Sequence, residues 1–388
     1  MDFNVFVSNG DIVEAARRRV AKGRKAPISA SKQAELRKVH SDEDQARRRL
    51  TSPLVCTASD VVWATLGRRA SNAPFVPTHC RWLDLSNSDI NDSRAAEVAT
   101  ALMHHPNQLL GLDLSRNAIG PSGAAALAVA FQQGQQHLKR DLDPKSERDE
   151  TTAPILLETI NLASNRLGDV GMTALASGLA TPSCHLKVLI AHNNCIGNAG
   201  AAALSDALGN NLHLKTLLLT NNRIEDVGAE ALSEGLKQQG AKRKLAADQN
   251  INRSWGSNRH QDLFTDKAYR NGEEEGLGLA MLGLSSNAIG DHGAVALGAS
   301  LAAGSGLEEL FLSWSRAPLG DMGAEAIAHG VQKALNPRLS ALHLTGNQVG
   351  SVGAAALLDA FEVTPLSTIG LEQNGLPADG LRQFRKYT

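Results

Sequence analysis

Leu112-Asp113-Leu114-Ser115-Arg116-Asn117-Ala118-Ile119, followed at once by Gly120-Pro121-Ser122-Gly123-Ala124-Ala125-Ala126-Leu127, decides the fold. In the first half the Leu-x-Leu alternation has the period of a strand, so Leu112 and Leu114 share one face and Asp113 takes the other. Asn117 stands where the chain must turn, and its amide can bond backbone groups that would otherwise be buried unpaired. In the second half small and aliphatic residues fall at helical spacing. One strand, one turn and one helix make the unit.

Eight further copies begin at Leu83, Ile160, Leu189, Leu217, Leu282, Leu310, Leu342 and Ile369. The turn position holds Asn117, Asn165, Asn194, Asn222, Asn287, Asn347 and Asn374, with Ser88 and Ser315 in the two exceptions. Regular copies are 28 or 29 residues apart. Self-similarity at such a period is the signature of a solenoid, in which each unit buries its apolar face only against its neighbours. The expected class is α/β: a right-handed β-α solenoid of about nine repeats, with a parallel concave sheet and convex helices.

A Gly-Asp-x-Gly element opens several helices, as in Gly168-Asp169-Val170-Gly171, Gly290-Asp291-His292-Gly293 and Gly320-Asp321-Met322-Gly323, with Glu225-Asp226-Val227-Gly228 as a relative. The Asp is placed to act as a helix cap. A strand plus a full helix at this repeat length resembles the ribonuclease-inhibitor type of leucine-rich repeat, and the resemblance covers about residues 79–388. The same repeat class is found in Ran GTPase-activating proteins, NOD-like receptors, actin-regulating linkers and ciliary dynein-regulatory subunits. It implies the fold strongly and the function weakly.

Three regions are expected. Residues 1–56 form a basic N-terminal region, partly disordered or helical. Residues 57–78 hold a capping helix and linker, with Val61, Val62, Trp63 and Leu66 on its apolar face. Residues 79–388 form the repeat domain, with insertions near 132–154 and 238–276 where the spacing lengthens. The second insertion mixes Lys242-Arg243-Lys244, Trp255, Phe264 and Glu273-Glu274-Glu275, and reads as a plain insertion or as a mobile loop that orders on contact.

Charge is segregated: residues 1–75 carry 14 Lys and Arg against 8 Asp and Glu. Arg17, Arg18, Arg19, Lys22, Arg24 and Lys25 make a basic N-terminal patch, readable as a targeting signal, an anionic-surface contact or a solvated helix. Aromatic residues that could stack bases are missing from it, so nucleic acid is not an expected partner. Four cysteines without C-x-x-C spacing read as free thiols, and no apolar run reaches the length of a membrane span. The expected location is cytoplasmic, with nuclear or ciliary placement as alternatives.

Catalysis is not expected. Phosphate-loop, H-E-x-x-H and G-x-S-x-G patterns are absent from the sequence, and no cofactor, metal or small-molecule substrate is implied. The candidate site lies instead on the strand face that the inward leucines leave open. There the columns bring Val188, Ile190, Leu218, Met281, Phe311 and Trp314 together as an apolar patch, bordered by Asp84, Asp113 and His343. Such a patch with a polar border suits capture of a protein partner. The expected function is an adaptor or scaffold binding a protein in the concavity. A small-GTPase regulator and a ciliary or cytoskeletal structural subunit are the alternatives, although no catalytic motif of the GTPase-activating family matches position by position.

Overall fold

The computed structural model describes residues 55–61, 80–104, 109–141, 157–181, 184–255, 278–335 and 337–376, all within the unit Leu54–Thr388. The basic patch from Arg17 to Lys25 and most of the expected capping helix lie outside the described residues.

Strands β1 (Val55–Thr57), β2 (Trp82–Asp84), β3 (Gly111–Asp113), β4 (Thr159–Asn161), β5 (Val188–Ile190), β6 (Thr216–Leu218), β7 (Met281–Gly283), β8 (Glu309–Phe311), β9 (Ala341–His343) and β10 (Thr368–Gly370) form one sheet in chain order. Each neighbouring pair is parallel, and Leu112 stands opposite both Leu83 and Ile160. Between strands run helices α1 (Asp92–His104), α2 (Pro121–Asp141), α3 (Gly168–Leu179), α4 (Asn198–Asn210), α5 (Asp226–Trp255), α6 (Asp291–Ala302), α7 (Asp321–Lys333) and α8 (Ser351–Val363). This is a β-α solenoid. Its single core holds the inward pairs Leu83 and Leu85, Leu112 and Leu114, Ile160 and Leu162, and their equivalents through Ile369 and Leu371.

Parallel strands of three residues expose many backbone groups at their ends, and the Asn column satisfies them. Asn222 accepts from the N–H groups of Asn194 and Ile196 in the preceding coil at 2.9 and 3.0 Å. Its amide donates to the carbonyls of Ala191 and Leu219 at 3.0 and 2.8 Å. The same reach recurs from Asn117 to Asn374. In the exceptional coil Ser315 donates to Ile289 and Asn287, and the Arg316 guanidinium reaches the carbonyls of Asn222 and Ser286.

The Asp of Gly-Asp-x-Gly does not cap its own helix. Glycine occupies the N-cap of α4, α6, α7 and α8 without a side-chain cap. Each Asp reaches forward instead: Asp321, at the start of α7, accepts from Gly350 and Gly353 at the start of α8 at 2.7 and 2.8 Å. Asp169, Asp226 and Asp291 do the same one coil onward. The second glycine of the motif is thereby explained. A Cβ on Gly323 would stand 2.8 Å from both Asp291 Oδ1 and Ala294 Cβ.

Three expectations are revised. First, a tenth strand precedes the nine copies: β1 places Cys56 opposite Leu83, in the position an inward leucine holds elsewhere. The described part of the expected capping segment is strand β1 and one 3-10 turn at Ala58–Asp60. Second, Cys56 and Cys80 are joined in a disulfide, whereas Cys184 and Cys195 are free. The spacing of 24 residues gave no motif, since the pair is made by stacking of two coils. Third, the second insertion opens as a continuation of α5 to Trp255. There Gln239 bonds the carbonyls of Leu208 and Asn211 and the N–H of Leu279, and Lys242 and Lys244 donate to the carbonyl ends of α4 and α6. Cations at helix C-termini are favourable by the helix dipole.

Candidate functional site on the strand face

The side chains between and after the inward leucines line the strand face in columns, one residue per coil. Where a glycine follows in the same column, the preceding large side chain leans over it. Trp82 covers Gly111, Leu218 covers Gly283 and Trp314 covers Gly346, each with ring or methyl atoms within 3 Å of where a Cβ would stand. The same lean brings His343 Nδ1 within 3.5 Å of that point on Gly370.

This leaning changes the expected patch. Ile190 and Leu218 are each only 3% exposed, so they are structural members of the face and offer a partner almost no area. Their neighbour Asn161 is buried as well, and its amide donates to Asp113 Oδ2 at 3.0 Å. Asp113 Oδ1 takes the N–H of Ser115, and Asp84 Oδ1 that of Ser86. These two aspartates therefore serve the turn after their own strands, a role that the column reading could not distinguish from partner binding. Val188 and Met281 are half-buried.

The remaining candidates gather at the C-terminal end. Phe311 and His343, opposite each other on β8 and β9, stack with ring centroids 4.4 Å apart and planes 2° from parallel. Trp314 is 49% exposed and has φ 57°. Nine successive coils hold this column at positive φ, from Asn87 to Gln373, because the chain turns off the strand there. Asn and Gly tolerate that region, whereas Arg116, Gln373 and, bulkiest of all, Trp314 are held in it against their preference. Glu309 and Glu372 both act on the charge of His343, although its burial outweighs them and lowers its pKa.

Further along the face burial pushes the His192 imidazole down to about 4, and its Nδ1 is buried with no hydrogen-bond partner in the structure. At the edge where the strands begin, His185 and His213 stack at 5.6 Å. His213 is lowered by burial and then by His185, Lys215 and Lys187. Among the described residues no group of three or more His, Cys, Asp or Glu is placed to hold a metal ion.

A family model described as "Leucine Rich repeat" matches six stretches: 107–128, 155–176, 183–205, 210–233, 282–298 and 335–358. The chain carries leucine-rich repeats. Among the unmatched copies are the two with serine in the Asn column, at Ser88 and Ser315. Over 179 residues this chain is 28% identical to NACHT, LRR and PYD domains-containing protein 12 of Mus musculus. The aligned part is 41% of this chain and 17% of that protein, so the chain spans less than a fifth of its relative. Among solved structures, an internalin of Listeria monocytogenes is 15% identical, with 80% of this chain and 60% of that one covered at a TM-score of 0.39. The Arabidopsis receptor kinase HAESA, solved with a peptide hormone and a co-receptor, is 13% identical, with 83% and 48% covered at a TM-score of 0.28. No function is carried over from either structure.

Proposed function

We propose that the leucine-rich repeats form a protein-binding module, an adaptor or scaffold that takes its partner on the strand face. The observation that carries this reading is Trp314: a large apolar side chain, half exposed, held at a backbone angle that costs of order 1 kcal/mol for a bulky residue. It lies over Gly346 and shares a coil with Phe311, whose half-buried ring stacks on His343, and aromatic anchors with a polar border supply most of the energy at protein interfaces. Ile190 and Leu218, on β5 and β6, are buried within the same face. Asp84 and Asp113 brace the turns at its other end.

The test is site-specific photocrosslinking in the native cell from position 311 and, as a control, from Val170, which is 70% exposed on helix α3. A protein captured from 311 and not from 170 should, once purified, lose at least about tenfold in affinity with Trp314→Ala, as an anchor worth 1.4 kcal/mol or more requires. Equal capture from both positions, or an affinity untouched by Trp314→Ala, would remove the strand face from the proposal.

The cytoplasmic location belongs to the same proposal. Among the described residues no helix is long and apolar enough to cross a membrane. The Cys56–Cys80 bridge stands against it, because disulfides are rare in reducing compartments. Fractionation of tagged protein, with alkylation of Cys56 and Cys80 after acid quenching, decides between them. A permanently bridged pair in a secretory fraction would overturn the cytoplasmic placement.

A further inference from the structure

Four strand-face columns, read from Trp82 to Gln373, hold the carboxylates Asp84, Asp113, Glu309 and Glu372 against one guanidinium, Arg116. The two aspartates are occupied by backbone N–H groups and by Asn161, as described above. Glu372 is differently placed. Gly370 has no side chain, and three polar atoms draw together above it: Thr345 Oγ1 at 3.1 Å, Glu372 Oε2 at 3.5 Å and His343 Nδ1 at 3.5 Å from the missing Cβ. Thr345 donates to Glu372 at 2.7 Å, which fixes the carboxylate while the residue remains exposed. One ring face of His343 is closed by Phe311. One coil back Trp314 lies over Gly346, whose N–H bonds the carbonyl of Glu372 at 2.8 Å.

The chemistry of this surface has one sign. Carboxylate oxygens and aromatic faces both attract cations. His343 is held neutral near pH 7, chiefly by burial, and so adds no positive charge. Arg316, the nearest guanidinium in sequence, is turned back onto the carbonyls of Asn222 and Ser286.

We propose that this surface, Glu309, Phe311, Trp314, His343 and Glu372, receives an arginine side chain carried on an extended segment of the partner protein. A guanidinium is planar, so it can pair with the Glu372 carboxylate while lying against an aromatic ring. Lysine offers only a point charge and binds more weakly. The inference rests on the strand face being the binding surface, and it names the group recognised there.

The full 388-residue chain, carrying fluorotryptophan, is titrated with short extended peptides of glycine and serine that bear two arginines. The Trp314 resonance is assigned by its loss in Trp314→Phe. The arginine peptide should shift it saturably, the lysine peptide more weakly, and peptides with citrulline or glutamate not at all. Glu372→Gln, a shape-conserving change on an exposed side chain, should weaken binding at least tenfold at an unchanged melting temperature, and added salt should act in the same direction. Equal binding of the citrulline peptide, no response to millimolar arginine peptide, preference for a single-stranded oligonucleotide, or indifference to Glu372→Gln would each overturn the arginine site. If crosslinking from 311 still identifies a partner in those cases, the strand face survives as a binding surface. If crosslinking fails while the arginine peptide binds, the cation site stands without the adaptor.

Discussion

Asn222 shows what one residue carries in this architecture. It is almost wholly buried, and its amide serves two N–H donors and two carbonyls spread over two coils. Asn222→Ala strands those groups, and each buried unpaired group costs about 1–3 kcal/mol. Urea denaturation should show a loss of several kcal/mol, and a loss below about 1 kcal/mol would mean that water replaces the amide. His192 acts through protons. Its folded pKa of about 4 lies below the ordinary 6.5. Above pH 6.5 both folded and unfolded forms are neutral and stability is unaffected. As pH falls from 6.5 toward 4 the unfolded chain takes the proton first, and stability is lost. The loss between pH 7 and pH 5 should be about 2 kcal/mol at most from this residue. His213 and His343 are shifted the same way, so the measurement is the difference from His192→Gln. If the two proteins respond identically to pH, burial of His192 is not the cause.

At the scale of the element, the helix caps make each coil depend on the one before. Asp321 holds the first turn of α8, not of α7, through Gly350 and Gly353. Asp321→Ala should therefore cost about 0.5–2 kcal/mol and speed amide exchange at Ala354 and its neighbours, leaving the first turn of α7 protected. Faster exchange at Ala324 and not at Ala354 would show that the cap is local after all. The strand, the Asn turn and the helix could all be read from Leu112 to Leu127, because each expresses a period or a local geometry. The direction in which Asp321 reaches could not, since it depends on how far one helix is offset from the next. The strand-face site was legible in the same partial way. Column positions follow from the alternation, but exposure depends on the residue one coil later, and Gly283 and Gly111 let Leu218 and Trp82 lie down. A large residue followed one repeat on by glycine was the signal available in the sequence. Strand β1 was hidden because Cys56 and Ala58 stand where leucines stand elsewhere.

Across the whole solenoid, stability is a sum of coils and the contacts between neighbours, so damage at one end should stay there. The Cys56–Cys80 disulfide ties the first coil to the second across 24 residues of sequence. By loop entropy a closure of that length is worth about 3 kcal/mol, taken from the unfolded state of the end coil alone. The sulfurs join two buried residues, and among the described residues β1 has β2 as its sole strand neighbour. Reduction, or Cys56→Ser with Cys80→Ser, should therefore split unfolding into two steps. The amide of Asp84 on β2, paired with Thr57 of β1, should exchange faster, while those of Leu217 and Leu219 in the middle of the sheet keep their protection. The arginine-peptide response of Trp314, six strands from β2, should be unchanged in the reduced protein. Hydrogen exchange followed residue by residue, with and without a dithiol reductant, checks both statements. A uniform loss of protection from β2 to β10 would mean that the coils unfold as one cooperative body, and the nearest-neighbour account of this fold would fail.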